Sequence, residues 1–191
     1  MNKNNNIKHH PLMVGNLLTN LIASAVSTLT VDFVLSSGMN VYQFQCFAIT
    51  IISMIVSIVV AKNHKLTEVA YTNFGKFMVV EGLINIVLGV TTIIVGSPMI
   101  YVVSSVLLVP FSRIQQYGTN KVVSMSFSKD ERLQYDNDMA TYSSFIAVAG
   151  IGLGFILNRT ITGAIAFSIL CGAEVINNIF YFKAYKKIVT K

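Results

Sequence analysis

The chain has 191 residues, of which 53% are hydrophobic and only 12% are charged, and its formal net charge is +6. Soluble globular domains carry about 25% charged residues, and a soluble chain this apolar would expose large hydrophobic patches. The basic residues fall in short tracts between long apolar runs, which argues against a phosphate-binding face. We therefore expect a protein in contact with the lipid bilayer and no nucleic-acid partner.

Six apolar runs are long enough to cross a bilayer, since a spanning helix needs about 20 residues and must satisfy its own backbone hydrogen bonds. In chain order the predicted spans are 13–35, 41–61, 77–95, 99–118, 139–157 and 163–182. We predict a turn over 96–98 and a cap from Asp136 or Asp138 at the start of the fifth helix.

The sequence thus predicts an all-α integral membrane protein with a bundle of six transmembrane helices. The transmembrane domain covers 13–182, between a polar N-terminus at 1–12 and a basic tail at 183–191.

Lysine and arginine residues set the predicted orientation of the spans. Of the 14 such residues, only Arg159 falls in an odd-numbered connection. The positive-inside rule then places both termini and the connections 62–76 and 119–138 in the cytoplasm. We expect a multi-pass protein of the cell membrane with very little chain outside. Tyr181 lies near the end of the last span and is interpreted as an interfacial anchor.

The residue types needed for enzyme chemistry are poorly placed in this sequence. Cys46 and Cys171 lie in apolar runs without metal-ligand spacing and are interpreted as small buried hydrophobic residues. A membrane cysteine peptidase is rejected because Cys46 and His64 fall on opposite sides of the membrane in the predicted topology. No HExxH or GxSxG motif occurs. We expect no catalytic residue, no metal site and no cofactor.

Four ionisable residues lie inside predicted spans, where charge is costly and therefore indicates function. They are Asp32, Glu81, Arg113 and Glu174. Glu81 and Arg113 are equally distant in sequence from the reversal at Ser97, so an antiparallel hairpin places them at similar depth. They would form either a gate or substrate clamp, or a structural ion pair. Asp32 lies near the outer end of its helix, and Glu174 lies near the middle of the sixth helix without an evident partner.

Uncharged polar residues and small residues inside the spans predict contacts between helices. We expect most of the amides to form interhelical hydrogen bonds: Asn16, Asn20, Gln43, Gln45, Asn85, Asn177 and Asn178. On the fifth helix, small residues share one side: Ser143, Ala147, Gly150 and Gly154. Gly150 and Gly154 form a GxxxG step, which is interpreted as a site of close helix packing.

Residues 110–157, from the fourth span to the fifth, contain a series of short sequence motifs. The fourth span carries an arginine followed closely by Gln and Gly: Arg113, Gln116 and Gly118. A mixed-charge link follows, and then closely spaced glycines: Gly150, Gly152 and Gly154. This stretch resembles the N-terminal half of a major facilitator superfamily (MFS) permease. The connection after the second span lacks the family's Asp-Arg pair, and the fifth span lacks its Gly-Pro step.

The resemblance implies a bundle like one MFS half, whereas such permeases hold their substrate between two halves. Our first hypothesis is therefore a half-size transporter subunit that moves a small molecule or peptide, acting as a homodimer or with a partner half. Arg113, Asp32 and Glu81 would be its functional polar groups. The alternative is a non-transporting accessory protein, such as an immunity protein that binds a membrane-active peptide or a subunit of another membrane complex. A substrate-binding subunit of a vitamin importer ranks third.

Overall fold

The structure is a computed structural model that describes residues 3–37, 39–96 and 99–189. At some positions in these ranges, Arg113 among them, only the backbone is described. The described residues form seven α-helices and no strand: α1 (Lys3–Ser37), α2 (Met39–Lys62), α3 (His64–Thr72), α4 (Phe74–Val95), α5 (Met99–Ser126), α6 (Lys129–Thr160) and α7 (Gly163–Val189).

Five stretches are long and apolar enough to cross a membrane: Pro11–Phe33, Gln43–Lys62, Phe74–Val95, Lys129–Thr160 and Gly163–Lys186. They lie in α1, α2, α4, α6 and α7. Large apolar side chains are exposed along these helices, for example Phe47, Val87 and Phe155, as expected where lipid is the solvent. The prediction of an all-helical membrane bundle thus agrees with the structure. α5 is 28 residues long but carries polar residues in its second half, and its role as a sixth span stays a prediction.

The two polar connections 62–76 and 119–138, which were predicted to link the spans, are themselves largely helical. The tract after the second span contains α3, and only Phe127 and Ser128 separate α5 from α6. The prediction that Asp136 or Asp138 caps the fifth span is wrong, because α6 begins well before them. Ser128 is the N-cap residue: its hydroxyl accepts from the Glu131 N–H at 3.4 Å, and the Glu131 carboxylate accepts from the Ser128 N–H at 2.9 Å. This capping box satisfies backbone donors at the helix start.

α4 ends at Gly96, whose φ of 67° is in the left-handed region that suits glycine. The remainder of the predicted turn over 96–98 lies outside the described residues.

α1 and α6 pack closely because Gly150 and Gly154 have no side chain. A Cβ atom at Gly150 would meet the carbonyl oxygen of Leu21 and lie 2.8 Å from the Ser24 Cβ. A Cβ atom at Gly154 would lie 2.7 Å from the Thr28 Cβ. The small-residue step predicted from the sequence is therefore placed at this helix contact.

α4 and α7 pack through a second set of glycines, which the sequence analysis did not single out. Gly75, Gly82 and Gly89 are one heptad apart and share a side of α4. Gly75 faces the ring of Phe182, and Gly89 faces Cys171. The Ser168 hydroxyl donates to the Gly89 carbonyl at 2.8 Å, which fixes the two helices in register.

The most extensive contacts among the six long helices form a repeating pattern. α1 packs on α6 and α7, α5 packs on α2 and α4, and α4 packs on α7. Let α1, α2 and α4 form one unit and α5, α6 and α7 the other, with α1 corresponding to α5, α2 to α6 and α4 to α7. The α1–α6 contact then corresponds to the α5–α2 contact, and the α1–α7 contact corresponds to the α5–α4 contact. The α4–α7 contact corresponds to itself. The two three-helix units therefore share the same pattern of main helix contacts.

Candidate functional site

A cavity of about 570 Å³ lies between the six long helices. Each of these helices contributes lining residues, including Asn20 from α1, Ser53 from α2, Glu81 from α4, Gln116 from α5 and Glu174 from α7. The volume is within the range of about 300–1,000 Å³ that is typical of small-molecule sites.

The cavity opens at one end of the bundle. Its exposed lining residues are Gln116, Asn120, Arg132 and Asp136, which lie in the last part of α5 and the first part of α6. Arg132 and Asp136 approach within 3.9 Å at this mouth. Lining residues nearer the middle of their helices, such as Glu174 and Ser53, are only partly exposed. The cavity therefore extends from a polar mouth into the part of the bundle where apolar helices pack.

A chain of side-chain hydrogen bonds follows one wall of the cavity from its mouth inward. The Asn16 amide donates to the Tyr135 hydroxyl and accepts from the Tyr181 hydroxyl. The Tyr181 and Thr19 hydroxyls are 3.3 Å apart. This wall joins α1, α6 and α7 through polar groups.

Asn177 completes the chain at the deep end. Its Nδ2 donates to the Thr19 hydroxyl at 2.8 Å and to Oε1 of Glu174 at 3.3 Å. Asn177 is fully buried, so this amide links the helix contact between α1 and α7 to the carboxylate in the cavity.

The spacing of these residues explains why they meet. Glu174, Asn177 and Tyr181 are separated by three and four positions on α7, and Asn16 and Thr19 by three positions on α1. Residues at such intervals share one face of a helix. As predicted, Asn16 and Asn177 form hydrogen bonds between helices. The Asn85 amide donates instead to the Glu81 carbonyl within its own helix.

Two of the four predicted ionisable residues, Glu81 and Glu174, line this cavity. The side chain of Arg113 lies outside the described residues. Its backbone position falls between those of Val109 and Gln116, four and three residues away on α5, and both of these line the cavity.

Asp32 lies elsewhere, in a groove of about 800 Å³ between α1 and α6. The Asn158 amide donates to its carboxylate at 2.7 Å, and both residues are exposed. The structure therefore separates Asp32 from the two carboxylates of the cavity.

Sequence reasoning missed the tyrosines of the cavity wall. Tyr181 was expected to be an interfacial anchor, which is wrong: it is 4% exposed and hydrogen bonded to α1. The available signal was its helical spacing from Glu174 and Asn177. The cysteine prediction holds only in part, since Cys171 is buried but Cys46 is exposed.

The Asn177 amide is expected to stabilise the bundle as well as the site. Asn177→Leu removes both hydrogen bonds and leaves Oε1 of Glu174 without its donor, so we expect a loss of about 2 kcal/mol in the free energy of unfolding. Asn85→Leu is the matched control, because the hydrogen bond that its amide donates lies within α4. The measurement is reversible unfolding in mixed micelles. Equal losses in the two variants would contradict a structural role for the interhelical bonds.

Comparison with known proteins finds no matching family model, no matching curated protein and no matching solved structure.

Proposed function

We propose that the chain is a half-size, MFS-like transporter subunit of the cell membrane. It moves a small molecule or peptide through a path completed by a second copy or by a partner half. All six long helices span the membrane in this proposal, with both termini in the cytoplasm. The cavity then opens toward the cytoplasm.

The observation that carries the proposal is a polar cavity inside a bundle whose helix contacts repeat when its two three-helix units are exchanged. Permeases of this superfamily are built from such three-helix repeats, and they bind substrate near the bilayer midplane. Glu174 supports the same conclusion, because it lies near the middle of the candidate span Gly163–Lys186 and faces the cavity. Intramembrane ionisable residues that face a cavity commonly mark a substrate or ion pathway.

Cysteine accessibility tests the proposed orientation. In a background with Cys46 and Cys171 replaced by alanine, we expect Asn120→Cys to react with a membrane-impermeant thiol reagent only from the cytoplasmic side, because Asn120 is exposed at the cavity mouth. Val148→Cys is the control, since Val148 is exposed in the middle of α6 and should face lipid. Labelling is compared in right-side-out and inside-out vesicles. Reaction of Asn120→Cys from the outside would overturn the topology.

The oligomeric state tests the half-transporter itself. We expect a homodimer in nanodiscs by light scattering that subtracts the lipid and scaffold contributions, because one bundle encloses only half of an alternating-access path. If the chain is monomeric alone, crosslinking in native membranes should capture a second half-size permease. A monomer with no such partner would contradict the proposal and favour the non-transporting accessory protein.

A further inference from the structure

We infer that the cavity binds a small organic cation, with Glu174 as the group that neutralises its charge. This inference deepens the proposed function and rests on it. The ligand class is a protonated amine or quaternary ammonium compound small enough for a cavity of about 570 Å³.

The charge balance of the lining is the first argument. The described lining contains three carboxylates, Glu81, Asp136 and Glu174, and one cation, Arg132, and Glu81 makes a further interaction of its own. Arg132 and Asp136 lie within 3.9 Å of each other at the exposed mouth. When Glu174 is ionised, the deep end of the cavity therefore carries a negative charge without an ion-pair partner in the described part of the chain.

The surroundings of Glu174 are the second argument. Its hydrogen-bond donor is the neutral amide of Asn177, and no ion pair to Glu174 occurs in the described part of the chain. A carboxylate near the middle of a membrane span is costly unless a cation or several donors compensate it. A cation that enters from the mouth would supply this compensation.

The buried amide next to the carboxylate points in the same direction. Asn177 is fully buried, and its Oδ1 accepts no hydrogen bond from the described residues. An unpaired buried acceptor costs about 1–3 kcal/mol. This amide lies behind the cavity lining, so it holds Oε1 of Glu174 in place from the protein side and leaves the charge of the carboxylate to be compensated from the cavity.

The remaining wall suits an amine. Tyr135 and Tyr181 line the cavity between its mouth and Glu174, and aromatic rings attract ammonium groups by cation–π interaction. Thr19, Asn20 and Ser53 add hydroxyl and amide oxygens that can accept from N–H donors. Carboxylate, tyrosine and neutral acceptors together select a cation over an anion of the same size.

The test uses three probes of matched shape: 2-phenylethylamine, 2-phenylethanol and phenylacetate. Equilibrium dialysis against the full chain in nanodiscs, with empty nanodiscs subtracted, should show saturable binding of the amine and none of the alcohol or the anion. Glu174→Gln should weaken amine binding at least tenfold. Glu68→Gln is the matched control and should bind normally, because Glu68 is exposed on α3 and does not line the cavity. Each variant must elute as a monodisperse peak before its binding is measured.

Every other result overturns the inference. Amine binding that Glu174→Gln leaves intact would exclude Glu174 as the neutralising group. Tighter binding of the alcohol or the anion would exclude the cation class but leave a ligand-binding cavity, and so the proposed function, in place. If none of the probes binds while the Asn120→Cys labelling and the dimer are as expected, only the cation class fails. If the labelling and the dimer fail as well, the proposed function fails with it.

Discussion

Gly150→Ala is expected to destabilise the bundle by about 3 kcal/mol or more, although it adds only a methyl group. The new Cβ would meet the Leu21 carbonyl oxygen and lie 2.8 Å from the Ser24 Cβ. Backbone atoms cannot rotate away as a side chain can, so α1 and α6 would have to separate. Overpacking of this kind typically costs about 1–3 kcal/mol and occasionally more. The measurement is the thermal unfolding midpoint in detergent, followed by the monodisperse fraction in size-exclusion chromatography.

Gly152→Ala separates this packing effect from helix propensity. Gly152 lies two residues away on α6, and a Cβ atom there would meet nothing within 4 Å. Alanine is preferred over glycine in a helix interior by about 1 kcal/mol, so this variant should be as stable as the parent or slightly more so. Similar destabilisation of both variants would show that the α1–α6 contact is looser than the structure indicates.

The long elements were predictable because lipid imposes a simple rule on sequence. Backbone groups in hydrocarbon must be paired internally, so each long apolar run had to be a helix. The GxxxG step on α6 was visible for a similar reason, since small residues four apart share one side. The heptad-spaced glycines of α4 were equally regular, but the sequence gives no indication of which neighbouring helix they face. Helix ends were less predictable, because a capping box at Ser128 determined the start of α6 while the apolar pattern began later.

For the candidate site, the sequence indicated only how deep in the membrane each ionisable residue lies. Glu81 and Glu174 could be assigned to the membrane interior from their positions in the spans, but the face of each helix depends on packing. Asp32 illustrates the limit, since it was grouped with them by residue type and lies instead in the α1–α6 groove. The hydrogen-bonded wall could not be foreseen as a unit, because Tyr135 is distant in sequence from Asn16, its partner.

Exchange of charge between positions 81 and 113 should show that the two residues act as a pair. Glu81 lines the cavity, and its helix α4 packs against α5, the helix that contains Arg113. We expect Glu81→Arg or Arg113→Glu alone to place like charges at the same depth, at a cost of about 3–5 kcal/mol. The yield of monodisperse protein should fall several-fold in each single variant and recover in the double variant Glu81→Arg/Arg113→Glu.

Recovery in the double variant is the informative result, because a single reversal damages a membrane helix whether or not the residue has a partner. Arg159→Glu provides the control for charge reversal itself, since Arg159 is exposed at the end of α6 and should tolerate the change. A double variant as poorly folded as the singles would exclude the pair.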